Sequence, residues 1–252
     1  MTRPVLVLVH GGGTDARCWG AVRPGLARRF RVLAPDLPGH GDRPAPAAAT
    51  VEALARPLAE RIRAEVAGPY HLLGHSLGGM VATWIAANGP APERLVLADT
   101  FDVAAPDARS WARVAAMGLG ARLLGRARAT RYVIEAQGLG TEGFDAALRA
   151  SMLHEAAMPL GDMMAAVRRW DGRPHLDRLT MPVLLLMAGG HPATAAAGRR
   201  MEARLADARR VVMPEVGHMQ MRDDPAGFVR AVVGFLEGSS PRPTHPAPWD
   251  SS

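Results

Sequence analysis

A serine flanked by glycines is the first feature of this sequence that could carry out a reaction. Ser76 lies in Gly74-His75-Ser76-Leu77-Gly78, after the apolar run Tyr70–Leu73 and at the start of a helical pattern at 76–87. A sharp turn from strand to helix exposes such a serine, and the glycines let neighbouring chain pass close to it. The segment predicts a nucleophilic serine; the alternative is a glycine-rich turn with an incidental serine.

A serine nucleophile needs a base from another loop at the carboxyl edge of the sheet, where ligands bind in open α/β sheets. His218 follows the last predicted strand and precedes a helix that begins near Pro225. In the strand–serine–helix arrangement the chain order is serine, acid, histidine. His218 fits this order, whereas His71 and His75 are too close to Ser76 in sequence. We therefore predict His218 as the general base, with a surface histidine as the alternative.

Acyl transfer also needs two N–H groups that bind the developing oxyanion. His10-Gly11-Gly12-Gly13 follows the first apolar run, and the N–H of Gly12 would act together with that of Leu77. The G-x-G-x-x-G spacing of a dinucleotide site is absent here. We interpret His10 as a residue that orients this loop and does not react.

Short apolar runs that alternate with amphipathic segments predict an α/β fold, with a mostly parallel sheet flanked by helices. The strand candidates are apolar on both faces, as expected of strands covered by helices on both sides. They are Val5–Val9, Arg31–Ala34, Tyr70–Leu73, Leu95–Ala98, Val183–Met187 and Arg210–Met213. Helical patterns occur at 50–66, 76–87, 195–206 and 225–237.

The alternation stops between about residues 104 and 179, where only helix-like segments occur, such as Trp111–Leu124 and Phe144–Trp170. A connection of this length should have structure of its own. We predict a core of residues 1–103 and 180–237, a helical cap at 104–179, and a disordered Pro/Ser-rich tail at 238–252. Eight large apolar residues of the cap could line a pocket: Trp111, Met117, Leu124, Met152, Met158, Met163, Met164 and Trp170.

The composition, 48% hydrophobic and 21% charged, is that of an ordinary soluble domain. All 30 basic residues are arginine, and no basic stretch is interleaved with aromatic residues, so we expect no nucleic-acid partner. The net charge of +6 leaves an acidic partner or a phosphate-bearing substrate open. Cys18 is the single cysteine, which excludes an internal disulfide. No apolar run is long enough to span a membrane. We expect a cytoplasmic protein with no membrane partner, and leave a homodimer open.

Together these segments resemble the α/β-hydrolase superfamily, and within it the compact esterases and lactonases that have a helical cap. The resemblance covers residues 4–237 and rests on 10–13, Asp36-Leu37-Pro38-Gly39-His40-Gly41, 74–79 and Gly217-His218. It implies that the turn at 36–41 is structural, so that Asp36 and His40 are not catalytic. It also implies that the antiparallel strand pair found in many relatives is missing or reduced.

The acid departs from the pattern of this family. Relatives place an aspartate after the strand that is Pro182–Met187 here, but this position holds His191, which cannot be the anionic partner of a base. Some relatives, such as certain haloalkane dehalogenases, have the acid at the end of the strand after the nucleophile helix, where this chain has Asp99. Three interpretations remain open: Asp99 as the acid, a Ser–His dyad, or a repurposed site. Asp102 is a poorer candidate because it lies beyond the strand.

These residues predict a serine hydrolase that cleaves an ester, thioester or lactone of a small apolar molecule, with Ser76 attacking and His218 as base. No metal or organic cofactor is required, and the expected partner is a small-molecule substrate. One alternative is a lyase or cyclase of small-molecule metabolism on the same fold; another is a non-catalytic binding protein. An epoxide hydrolase or dehalogenase is disfavoured because those enzymes need a carboxylate where Ser76 stands.

Overall fold

The structure, a computed structural model, describes residues 3–125 and 157–238 and the single positions 128, 131 and 146. Most of 126–156, within the predicted cap, and residues 239–252 of the predicted tail lie outside the described residues. Met152, proposed above to line a pocket, is among them. No helix of the described part is both long and apolar enough to cross a membrane.

Six strands form one parallel sheet in the order β2-β1-β3-β4-β5-β6. The strands are β1 (Val5–Val9), β2 (Arg31–Leu33), β3 (Tyr70–His75), β4 (Arg94–Ala98), β5 (Val183–Ala188) and β6 (Ala208–Met213). All six were predicted from the apolar runs, with boundaries that differ by at most two residues. Both the parallel sheet and the α/β class are confirmed.

Helices cover both faces of the sheet. They are α1 (Arg23–Ala27), α2 (Val51–Glu65), α3 (Leu77–Asn88), α4 (Ala108–Leu124), α5 (Leu160–Arg169), α6 (Arg173–Leu176), α7 (Pro192–Glu202), α8 (Gln220–Asp223) and α9 (Pro225–Leu236), with a 3-10 helix at Ala16–Trp19. The sequence did not predict the short helices α1, α6 and α8 or the 3-10 helix, because one turn is too short for a periodic pattern. Helices α4, α5 and α6 belong to the helical insertion.

Alternate residues of each strand point to opposite faces, which divides the core in two. Val7 and Leu72 pack with α2 and α3 on one face, while Leu8 and Leu73 pack with Trp19 and residues of α9 on the other. Burying each of these side chains fully contributes about 1.5–3 kcal/mol to folding. The two edge strands are only partly covered, contrary to the expectation for all six, because each has a neighbour on one side only.

Candidate active site

Ser76 occupies the turn between β3 and α3 in a backbone conformation that is rare for a residue other than glycine. Its φ is 53° and its ψ is −121°. Such geometry costs about 1–3 kcal/mol and persists where the surroundings impose it. The Ser76 N–H donates to the carbonyl of Ala98 at 3.0 Å, and the Thr100 hydroxyl donates to the Ser76 carbonyl at 2.6 Å. The end of β4 and the residues just after it thus hold both main-chain groups of Ser76.

The two glycines of the turn are required by close backbone contacts. A methyl group at Gly74 would lie 2.2 Å from the carbonyl oxygen of Gly78. A methyl group at Gly78 would lie 2.2 Å from the carbonyl oxygen of Val9 and 2.3 Å from that of His10. These distances are well inside van der Waals contact, so only glycine allows α3 to start this close to β3 and β1.

His218 lies in the loop between β6 and α8, and its imidazole reaches the serine. Its Nε2 is 2.9 Å from Ser76 Oγ, and its Nδ1 is 2.6 Å from Oδ2 of Asp99. A carboxylate can only accept hydrogen bonds, so Nδ1 carries the hydrogen and Nε2 is free to accept the serine hydroxyl. The structure therefore brings together the three side chains that the sequence suggested. That they react as nucleophile, base and acid stays a prediction.

Asp99 directly follows β4 and is fully buried. Its φ of 44° lies in the left-handed region. Its N–H donates to the carbonyl of Leu186 and its Oδ1 accepts from the N–H of Ala188, both at 2.9 Å, so β5 fixes the side chain. Asp102, the poorer candidate, instead pairs with Arg200 at 2.5 Å.

His191 shares the carboxylate with His218. It lies at the position where relatives have the acid, and its Nδ1 is 2.7 Å from the same Oδ2 of Asp99. Burial raises the pKa of the Asp99 carboxyl, but the hydrogen bonds from His191 and His218 outweigh burial and hold this pKa well below its usual range. Asp99 is therefore a carboxylate near neutral pH, and His191 and His218 donate hydrogen bonds to it.

His75 makes a contact that the sequence gave no reason to expect. Its Nε2 lies 2.8 Å from the main-chain carbonyl oxygen of His218. Because that oxygen only accepts, Nε2 carries the hydrogen. Burial, and to a lesser degree the nearby His218, lower the pKa of His75 to about 3, so the ring is neutral. A neutral histidine next to the serine thus supports the loop of the base; the sequence places it beside Ser76 but cannot show this partner.

The loop after β1 lies against Ser76 and Leu77. A methyl group at Gly11 would lie 3.2 Å from Cβ of Ser76, and one at Gly12 would lie 3.2 Å from Cδ2 of Leu77 and 2.5 Å from Sδ of Met163. Leu77 is the first residue of α3, so its N–H has no acceptor within the helix. Gly12 and Leu77, the two predicted oxyanion donors, are thus neighbours beside the serine.

His10 and the turn at 36–41 hold this loop. The Nε2 of His10 accepts from the N–H of Leu37 at 3.0 Å, and its Nδ1 donates to the carbonyl of Gly11 at 2.9 Å. Burial lowers the pKa of His10 to about 4, which leaves the ring neutral. Asp36 accepts from the N–H of Ala16 at 2.7 Å, and His40 contacts the carbonyl of Pro38. All three side chains bond to main-chain groups.

Comparison with known proteins gives the family. The model of the alpha/beta hydrolase family matches residues 6–231. The chain belongs to this family. The pimeloyl-[acyl-carrier protein] methyl ester esterase of Neisseria meningitidis serogroup C is 31% identical over 241 residues, which cover 92% of this chain and 93% of the relative.

Solved structures agree with this assignment. A hydrolase from Pseudomonas aeruginosa has a TM-score of 0.78 at 32% identity, covering 93% of this chain and 90% of its own. The enol-lactonase from Burkholderia xenovorans has a TM-score of 0.79 at 25% identity, covering 94% and 92%. This hydrolase is esterase-like, and the esterase and lactonase resemblance noted in the sequence is confirmed.

Proposed function

We propose that the chain hydrolyses carboxylic esters through an acyl-enzyme on Ser76. The hydrogen-bonded chain from Ser76 Oγ through His218 to Asp99, with distances of 2.9 and 2.6 Å, carries the proposal. Oγ attacks the carbonyl carbon while its proton passes to Nε2 of His218, and the imidazolium then gives this proton to the departing alkoxide. A water molecule then gives a proton to His218 and attacks the acyl carbon; Ser76 Oγ takes the proton back as it leaves, and the carboxylic acid product is released. No metal or organic cofactor takes part.

The N–H groups of Gly12 and Leu77 are the proposed oxyanion donors. The N–H of Leu77 points out of the first turn of α3, where the helix dipole favours negative charge. Removing one oxyanion donor from a serine hydrolase typically costs about 10²–10³ in kcat. Asp99 keeps the Nδ1 hydrogen of His218 in place and stabilises the imidazolium that forms during each half of the reaction.

The proposed substrate is an ester or lactone with an apolar acyl part. Met163 is a buried residue of the helical insertion and lies against Gly12, so an apolar side chain borders the proposed oxyanion loop. The relatives named as a methyl ester esterase and an enol-lactonase favour an oxygen ester or lactone over a thioester. We accordingly propose that the inserted residues 104–179 act as a cap for this substrate.

The test is covalent labelling with a fluorophosphonate probe, followed by mass spectrometry and by assays on p-nitrophenyl esters. Wild type should be labelled on Ser76 and should hydrolyse the esters; Ser76→Ala should do neither and should unfold at the same temperature. A wild type that is neither labelled nor active would contradict the proposal and favour the lyase, cyclase or binding alternative. The cytoplasmic location, the small-molecule partner and the open question of a homodimer stay predictions.

A further inference from the structure

Three potential metal ligands converge on one point beside the serine. The Nδ1 atoms of His191 and His218 lie 2.7 and 2.6 Å from Oδ2 of Asp99, and each of the three residues offers one ligand atom within 4.8 Å of those of the other two. The proposed reaction uses only His218 and Asp99, so it leaves His191 without a chemical role. Two imidazoles and a carboxylate are a donor set that suits zinc, as in catalytic zinc sites with three protein ligands.

The distances between these ligand atoms allow a metal ion to replace the Nδ1 hydrogens of His191 and His218. Zinc binds nitrogen and oxygen ligands at about 2.0–2.1 Å, so ligand atoms around a tetrahedral ion stand about 3.3 Å apart. The two distances from Nδ1 to Oδ2 therefore need to lengthen by about 0.6–0.7 Å. His191 can supply this movement because 33% of its side chain is exposed, whereas Asp99 is completely buried. The N–H of Ala188, bonded to Oδ1 of Asp99, keeps the carboxylate oriented.

The main chain holds the two histidine loops together. The N–H of Gly190, next to His191, donates to the carbonyl of Val216 at 3.0 Å, two residues before His218. The imidazoles are 4.9 Å apart between ring centres and inclined at 68°. In the described part of the chain, no other three histidine, cysteine or acidic side chains lie close enough to hold an ion. Cys18, the single cysteine, is buried and offers no competing thiolate.

We propose that Asp99, His191 and His218 form a binding site for Zn²⁺, and that the bound ion switches the serine off. The ion takes the lone pair of each Nδ1, and the hydrogen that each Nδ1 donated to Asp99 moves to Nε2 of the same ring. Nε2 of His218 then faces Ser76 Oγ as a donor and cannot accept its hydrogen. The ion is an inhibitor and not a cofactor. Binding of the ion does not depend on the proposed function, whereas the inhibition rests on the proposed function.

Calorimetric titration of the purified full chain with zinc chloride tests the binding. The decisive variant is His191→Asn, because the asparagine amide can still donate to Asp99 but is a poor zinc ligand. His175→Asn is the matched control: His175 stacks on Trp170, outside the cluster. Wild type and His175→Asn should bind one ion per chain, and His191→Asn should bind at least tenfold more weakly. Absence of binding to wild type, or equal binding to all three, would overturn the proposal.

The second measurement separates this proposal from the proposed function. Each protein is assayed for ester hydrolysis and for fluorophosphonate labelling with zinc chloride and then with EDTA, relative to its own metal-free rate. Zinc should inhibit wild type reversibly and should affect His191→Asn at least tenfold less. Zinc binding that depends on His191 in a chain without hydrolysis would refute the proposed function and leave the site intact. Hydrolysis that zinc does not slow would refute the inhibition alone.

Discussion

His75 donates its Nε2 hydrogen to the main-chain carbonyl oxygen of His218 across 2.8 Å. The two residues are 143 positions apart in the chain. One directly precedes the proposed nucleophile and the other is the proposed base. The elbow of the serine and the loop of the base are therefore tied by a hydrogen bond that does not involve the reacting atoms.

His75→Leu removes this bond and leaves the carbonyl oxygen of His218 without its donor. We expect the free energy of unfolding to fall by about 1–3 kcal/mol. We also expect kcat to fall while KM changes little, because the imidazole of His218 is held less firmly against Ser76. Urea denaturation and ester hydrolysis measure the two effects.

His71→Leu is the control for the loss of a buried histidine from β3. His71 lies at the opposite end of β3 from His75, packs against Phe30 and makes no hydrogen bond to the loop of His218. Its kcat should match wild type. Equal kcat values in the two variants would refute the supporting role of His75.

Asp99→Asn tests the identity of the acid. The amide has nearly the shape of the carboxylate but no charge to stabilise the imidazolium, and it favours the wrong tautomer of His218. We expect kcat to fall by about 10⁴, the loss seen when the triad aspartate of a serine protease is replaced by asparagine. Asp102→Asn, which breaks only the pair with Arg200, should remain near wild type. Activity within tenfold of wild type in Asp99→Asn would instead indicate a Ser–His dyad.

We expect the protein to lose stability in mild acid because three of its histidines are buried. Burial lowers the pKa of His10 and His40 to about 4 and that of His75 to about 3. The unfolded chain, with histidine pKa values of about 6.5, therefore binds more protons between pH 6.5 and 4, and stability falls as the pH falls through this window. Each histidine contributes up to about 3 kcal/mol.

The acid dependence is measured as the free energy of unfolding in urea at pH values from 7 to 4. His40→Gln should flatten the dependence by the share of one histidine. Asp99 adds little to this dependence, because the stability that comes from its lowered carboxyl pKa is lost only below about pH 5. A free energy of unfolding that stays constant from pH 7 to 4 would contradict the burial of these neutral rings.

Gly78→Ala tests the close packing at the elbow. The added methyl group would lie 2.2 Å from a main-chain oxygen of β1, which cannot move without disrupting the sheet. We expect a loss of more than about 3 kcal/mol, or failure to fold. Gly120→Ala is the matched substitution in α4, where no described atom lies within 4 Å of the new group. It should stabilise the protein by about 0.5–1 kcal/mol. Similar melting temperatures for the two variants would contradict this account.

Met163→Ala tests the boundary of the substrate pocket. Truncation removes the sulfur that lies against Gly12, so we expect kcat/KM to shift towards esters with larger acyl groups. The measurement is kcat/KM for p-nitrophenyl esters from acetate to octanoate. Met181→Ala, a buried methionine of the core, should lose stability without a change in this preference. The same preference in both variants would argue against Met163 as a pocket residue.

The sequence predicted the sheet well because a strand buried on both faces reads as a short apolar run, and such runs are local. It also singled out Ser76 and His218, whose side chains lie 2.9 Å apart in the structure, since a turn between glycines and a histidine after the last strand are local signals. The hydrogen-bond partner of His75 could not be predicted from the sequence, because that contact depends on how β3 and the loop after β6 come together in space.

The predicted pocket-lining residues agree with the structure only in part. Of the residues expected to line a pocket, Met163 lies against Gly12 and Met158 against Gly39, but Trp111, Met117 and Leu124 are exposed. A helical spacing of apolar residues indicates a face of the helix but not what that face meets. The sequence singled out Asp99 and His191 separately, but only the structure shows that His191 and His218 bond the same oxygen of Asp99.

Strand pairing has a consequence for how accurately the serine and the carboxylate are placed. β3 and β4 pair with His75 opposite Ala98, and the residues that follow this pair are Ser76 and Asp99. One strand–helix–strand unit therefore aligns both groups by a single ladder of main-chain hydrogen bonds. A shift of that ladder by one residue would send the carboxylate to the opposite face of the sheet. The placement of Ser76 relative to Asp99 is thus set by whole residues of register, whereas His218 reaches both groups from the separate loop after β6.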